Sequence, residues 1–145
     1  MKECINFDVR RIEELRLPLA NRFYADCNYH VKCGRLDRVY TCELKGKIIA
    51  AARLLDSAPN CLLLRNVCVL PEHRNQGIAT YLLKSIFASI SPNNCYCFAL
   101  PHLKDFYLAL GFSELEVLQV PQEIAELHIR NQSRKRGWLL MGLQC

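Results

Sequence analysis

Val67-Cys68-Val69-Leu70-Pro71-Glu72-His73-Arg74-Asn75-Gln76-Gly77-Ile78-Ala79 joins an apolar, strand-like run to the start of a helical pattern through a polar turn. Pro71 ends the run, because proline has no N–H to give to a sheet ladder. The first N–H groups of a helix have no partner inside it, and the helix dipole adds partial positive charge there. Gly77 leaves room for a bulky anion to approach the backbone, and Arg74 adds a cation. A strand–turn–helix junction of this composition predicts a phosphate site. It belongs to neither of the two commoner phosphate loops, GxxxxGKS/T and GxGxxG, since the chain contains neither pattern.

The flanks extend the same reading. Cys61 to Leu70 is nearly continuous apolar sequence, broken by Arg65 and Asn66, as suits a strand covered on both faces. Ile78, Ala79, Leu82, Leu83, Ile86, Phe87 and Ile90 recur at three and four and predict a helix closed by Ser91-Pro92. Cys95 to Leu100 reads as a short strand, so Cys61 to Leu100 predicts a right-handed parallel crossover. Leu103, Phe106, Tyr107 and Leu110 share a helical face, and Gly111 is placed to cap it. Phe112 to Val120 reads as a strand, Pro121 to Arg134 as a polar helix, and Trp138 to Leu143 as the last strand.

Towards the N-terminus, Cys4 to Val9 reads as a strand, Arg10 to Arg16 as helical, and Pro18 to Cys27 as a second helix. Val39 to Leu44 and Lys47 to Leu55 form a predicted hairpin across Lys45-Gly46. This order predicts the α/β (α+β) class: a mixed sheet with helices on both faces, in a single domain over residues 1–145.

Composition narrows the function. At 51% apolar and 23% charged residues, the chain can bury a core and is not of the disordered class. No apolar stretch is long enough to span a bilayer, and Met1 to Arg10 lacks the apolar core of a secretory signal. The nine cysteines are odd in number and contain no CxxC pair. Cys61, Cys68, Cys95 and Cys97 lie in apolar runs, which predicts thiols used as core filler in a reduced, cytoplasmic protein. Zinc-ligand spacings are absent, so no metal is expected. The net charge of +5 favours an anionic ligand, but aromatic residues do not interleave with the basic run Arg134-Lys135-Arg136 as nucleic-acid binding would require.

Arg74-x-x-Gly77-x-Ala79 resembles the (Gln/Arg)-x-x-Gly-x-(Gly/Ala) signature of the GNAT acetyltransferase family. Phe106-Tyr107-Leu108-Ala109-Leu110-Gly111-Phe112 resembles that family's FYxxxGF segment, and Trp138-Leu139-Leu140-Met141 its last strand. The resemblance spans about Val39 to Leu143 and implies a GNAT-like fold. Such a fold has a mostly antiparallel sheet of about six to seven strands, with a splayed parallel pair forming an acetyl-CoA cleft. It implies an N-acetyltransferase that moves an acetyl group from acetyl-CoA to a primary amine by direct attack in a ternary complex. The amine can belong to a small molecule or a protein, and the enzyme can be a monomer or a homodimer.

The resemblance also implies roles. The backbones of Cys68 and Val69 would bind the pantetheine arm and polarise the thioester carbonyl. Backbone N–H groups of Arg74, Asn75, Gln76, Gly77, Ile78 and Ala79 would hold the pyrophosphate. Tyr107 would protonate the leaving thiolate as general acid, a phenol's reference pKa of about 10 being close to that of an alkyl thiol. Its position on an apolar helical face also suits a core tyrosine. Several family members carry a catalytic Glu in the strand before the loop, whereas Leu62 to Arg65 contain no carboxylate. The candidate base is therefore His102, with Glu72, His73, His30 and solvent as alternatives. The same gap sustains a second reading, a non-catalytic acyl-CoA-binding regulatory module.

Overall fold

The computed structural model describes residues 7–91, 93–134 and 137–143, without the side chains of Ser133 and Arg134. Among the described residues, seven strands form one sheet: β1 (Phe7–Arg11), β2 (Arg38–Leu44), β3 (Lys47–Ala58), β4 (Cys61–Val69), β5 (Asn94–Ala99), β6 (Ser113–Glu114) and β7 (Leu139–Leu143). The α-helices are α1 (Leu17–Asp26), α2 (Ile78–Ile90), α3 (Lys104–Ala109) and α4 (Gln122–Arg134). The sheet order is β1-β2-β3-β4-β5-β7-β6, mostly antiparallel, with β4 and β5 parallel. This is the mixed α/β class expected from the order of patterns. Among the described residues, no helix is long and apolar enough to cross a membrane.

The chain divides into two compact units, Met1–Leu54 with Asn66–Ser89 and Leu55–Arg65 with Ile90–Cys145. In the first, β1 pairs with β2 from Phe7↔Leu44 to Arg11↔Tyr40. The hairpin of β2 and β3 turns on Lys45 and Gly46, whose φ values of 52° and 78° are the left-handed pair that matches strand twist. Pro18 sits in the first turn of α1, where its missing N–H costs nothing. That helix buries Ala20, Phe23 and Tyr24. The stripe read from the sequence buries Ile78, Leu82, Leu83 and Ile86 of α2. Val39, Ile49, Leu54 and the small side chains Ala50 to Ala52 are buried as well.

One expectation in this unit is corrected. Arg10 to Arg16 is not a helix: β1 runs on through Arg11, and only Glu14–Arg16 forms a 3₁₀ turn. Arg10 and Arg11 pair with Thr41 and Tyr40, and the Ile12 N–H bonds the Val39 carbonyl at 2.8 Å. Arg10 and Arg16 both ion-pair with the buried Glu43, at 3.3 and 3.2 Å. A seven-residue helix has too few internal bonds to compete with those long-range partners. The part of the expected first strand from Cys4 to Asn6 lies outside the described residues, as do Cys145, Lys135, Arg136 and the side chain of Arg134.

In the second unit, Cys61 to Leu64 pair in parallel with Asn94 to Cys97. On its other edge β5 pairs antiparallel with β7, and β7 with β6. Cys61, Leu63, Tyr96, Ile124 and Leu140 form a buried cluster, with Leu115, Val117 and Leu127 packed against it. The strand expected from Phe112 to Val120 shrinks to the two residues of β6, followed by a 3₁₀ turn at Val117–Gln119. Gln119 explains the change: its side-chain carbonyl accepts the Glu116 N–H at 2.7 Å, closing a capping box. That N–H is then spent locally rather than on a ladder, while Leu115 still bonds the Leu140 carbonyl at 2.9 Å.

Candidate functional site

In the first unit the end of β4, from Asn66 to Val69, runs into the junction whose composition suggested a phosphate site. Asn66 carries a left-handed backbone, φ 56°, inside the strand. The sequence marked this place only as a polar interruption of an apolar run, although asparagine tolerates that conformation better than most residues. Past the kink, Cys68 is buried and Val69 is half-buried. The Val69 carbonyl accepts the Arg74 Nε at 3.1 Å, which folds the guanidinium back over the strand end.

Pro71–His73 then make one 3₁₀ turn, closed by the His73 N–H on the Leu70 carbonyl at 2.9 Å. Asn75 and Gly77 both have positive φ, 63° and 77°, and lead the backbone into α2. The bond from the Tyr81 N–H to the Gly77 carbonyl, 3.0 Å, opens the helix. The N–H groups of Ile78, Ala79 and Thr80 therefore precede the helical ladder. Arg74, Asn75, Gln76 and Gly77 are exposed, Ile78 is buried and Ala79 is half-buried. A Cβ built on Gly77 would meet no heavy atom within 4 Å, so the backbone is open on that side. A groove of about 500 Å³ opens beside Pro71 and Glu72, with Arg16, Arg22, Asp26 and Lys47 on its walls. Charges of both signs line it, so it selects no single ligand class.

Burial pushes the Cys68 thiol up to about 12, helped by its hydrogen bond with the half-buried Cys27 thiol and opposed by Arg74. Burial likewise raises Tyr29, with a smaller push from Cys68 and an opposing pull from Arg74. Cys68 and Tyr29 thus stay neutral at pH 7 beside the Arg74 guanidinium.

Tyr107 and His102 belong to the second unit. Tyr107 is buried in α3, its ring 5.1 Å from that of Phe106 and 5.4 Å from that of Phe112. Gly111, φ 99°, ends the helix as expected, and the Tyr107 carbonyl accepts the N–H groups of Leu110 and Phe112. His102 is exposed on the 3₁₀ turn Pro101–Leu103 that follows β5. In the first unit Glu72 and His30 are exposed and His73 is half-buried. One histidine escaped notice in the sequence: His128 of α4 stacks on Phe98 at 5.6 Å between ring centres, and burial lowers its pKa. Among the described residues, no three His, Cys, Asp or Glu side chains come together to hold a metal ion.

Residues 35–114 match the family model for an acetyltransferase (GNAT) domain. No curated protein sequence matches the chain. Among solved structures, N-acetylglutamate synthase from Neisseria gonorrhoeae, complexed with coenzyme A and N-acetyl-glutamate, is similar with a TM-score of 0.70 and 16% identity. That match covers 99% of this chain and 36% of the synthase, so the chain spans about a third of that relative's length. Rv2747 from Mycobacterium tuberculosis, in complex with CoA, has a TM-score of 0.71 at 16% identity over 95% of this chain and 99% of its own. The ribosomal-protein-S18-alanine N-acetyltransferase from Escherichia coli has a TM-score of 0.61 at 18% identity over 77% and 80%. At these identities the likeness is one of fold.

Proposed function

Because this chain belongs to the GNAT acetyltransferase family, we propose that it transfers an acetyl group from acetyl-CoA to a primary amine by direct attack in a ternary complex. The observation that carries this reading is the backbone ahead of α2. Two left-handed residues, Asn75 and Gly77, turn it so that N–H groups precede the helical ladder, and no side chain fills the space beside Gly77. Such a cradle fits a pyrophosphate.

In this reading the N–H groups of Arg74 to Ala79 hold the pyrophosphate. The backbones of Cys68 and Val69 hold the pantetheine arm and donate to the thioester oxygen as it gains charge. Acetyl-CoA supplies the activated acetyl group. As the amine nitrogen bonds the carbonyl carbon and the C–S bond breaks, Tyr107 gives its proton to the departing thiolate. The amine's own proton goes to His102, the exposed candidate base, or to solvent. Cys68 serves through its backbone only, since a thiol pushed up to about 12 is a poor nucleophile at neutral pH.

The test is thiol release from acetyl-CoA with a panel of amines: amino acids, polyamines, peptide N-termini and lysine side chains. Turnover with one class, reduced about 100-fold in Tyr107→Phe with binding kept, supports the reading. Acetyl-CoA binding without turnover on any amine would favour the non-catalytic acyl-CoA-binding module, which the missing carboxylate from Leu62 to Arg65 already suggests. No binding by the folded chain overturns both.

A further inference from the structure

The kink at Asn66 is held from two sides within the first unit. Arg53 Nη1 donates to Asn66 Oδ1 at 2.9 Å, and Tyr24 Oη donates to the Asn66 backbone carbonyl at 2.8 Å. The other arm of the same guanidinium, Nη2, donates to Asp37 Oδ2 at 3.0 Å. That carboxylate oxygen also accepts the Gly34 N–H at 2.9 Å. The side chains of Arg53 and Asp37 are only 14% and 11% exposed. One planar fork therefore ties the loop before β2 to a left-handed residue in the middle of β4.

Packing alone does not account for this arrangement. A buried ion pair is often no more stable than hydrocarbon of the same volume, so a guanidinium kept here points to a geometric role. Arginine suits that role because its two donors are fixed in one plane, which a lysine cannot imitate. What the fork fixes is the direction of the chain just past residue 66, at Cys68 and Val69. A strand that continued without the kink would present those backbone groups to different neighbours, because side-chain and backbone directions alternate residue by residue.

We infer that Arg53 is a positioning residue. By locking the kink at Asn66 it sets which backbone N–H of the Cys68–Val69 segment is aimed at the thioester carbonyl. This rests on the acetyl-CoA reading above.

The test compares acetyl-CoA with CoA, which lacks the acetyl carbonyl. Affinities for both are measured by calorimetry for wild type, Arg53→Met, Arg53→Lys and Asn66→Gly, with the thermal midpoint of each. Glycine keeps the left-handed backbone accessible but removes Oδ1, so Asn66→Gly tests the same link while leaving the pair of Arg53 and Asp37 intact. The preference of wild type for acetyl-CoA over CoA is expected to fall about tenfold in Arg53→Met and in Asn66→Gly, the size of one lost hydrogen bond. The double variant is expected to fall no further, Arg53→Lys to lie between, and CoA affinity to stay within about twofold.

Isotope-edited infrared spectroscopy of acetyl-CoA labelled at the carbonyl carbon supplies a second readout. The band is lowered on wild type and returns towards its free position in the variants. Folded variants with an unchanged preference and band would reduce Arg53 to an ordinary ion pair, as would a wild type that shows neither preference nor band shift. Failure of wild type to bind either compound would instead overturn the acetyl-CoA reading itself.

Discussion

Changing Gly77 separates backbone strain from electrostatics at the proposed pyrophosphate cradle. Its φ is 77°, and an added Cβ would meet nothing within 4 Å. The steric cost of any side chain is therefore the left-handed backbone itself, about 1–2 kcal/mol, less the roughly 0.4–1 kcal/mol regained because the unfolded chain becomes stiffer. Gly77→Ala, Gly77→Lys and Gly77→Glu should each lose about 1 kcal/mol and about 4 °C in Tm, much alike. Charge then distinguishes them. A carboxylate about 5 Å from a phosphate charge costs about 3 kcal/mol at an effective dielectric of about 20, and an ammonium gains a similar amount. Solvent and side-chain freedom reduce both. Calorimetry with acetyl-CoA should still show Gly77→Glu weakened on the order of 100-fold against wild type, Gly77→Ala by about tenfold or less, and Gly77→Lys least of all. The gap between Glu and Lys should narrow as salt rises. Equal affinity of the folded Glu and Lys variants would refute the placement of the pyrophosphate.

Three other outcomes follow from the packing. Gly142→Ala puts a methyl 2.6 Å from Leu115 Cδ1 and 2.7 Å from Tyr96 Cδ1. The resulting overpacking should cost about 1–3 kcal/mol in urea unfolding, and an unchanged midpoint would contradict the register of β7 on β5. Burial holds the Cys68 thiol well above the ordinary thiol range, so at pH 8 its thiolate is far scarcer in the folded chain than in the unfolded one. Pulsed alkylation read by mass spectrometry should therefore label Cys68 only as the chain unfolds, and rapid labelling of native protein would count against its burial. Burial lowers the pKa of His128 below 6.5, so just below that pH the unfolded chain binds more protons than the folded one. Stability should fall as pH drops through 6.5, with a slope that flattens in His128→Gln. Equal slopes in the two proteins would exclude His128 as the cause.

Much of the fold was legible because its causes are local. Pro18 starts α1, Lys45-Gly46 turns the hairpin, the three-and-four spacing from Ile78 to Ile90 makes α2, and Gly111 stops α3. In each case the deciding interaction lies within a few residues. The junction from Val67 to Ala79 was legible for the same reason: strand end, proline, glycine and helix start are contiguous, so the cradle proposed for a pyrophosphate is written in one stretch.

Two segments read wrongly, the first because distant partners outweighed local preference and the second because a side-chain bond three residues away displaced the ladder. Arg10 and Arg11 have a helical look, but β2 offers them ladder bonds. Phe112 to Val120 has a strand-like pattern, but Gln119 takes the Glu116 N–H and bends the chain at once.

Sequence alone determined the order of elements, the family resemblance and the place of the loop proposed to hold a pyrophosphate, since all three depend on spacing along the chain. Only the tertiary structure decided what holds the polar break at Asn66. Its partners Arg53 and Tyr24 stand 13 and 42 residues away, and no local pattern joins them. Burying a polar kink inside a sheet requires donors from other elements, and which donors arrive is settled by how strands and helices pack.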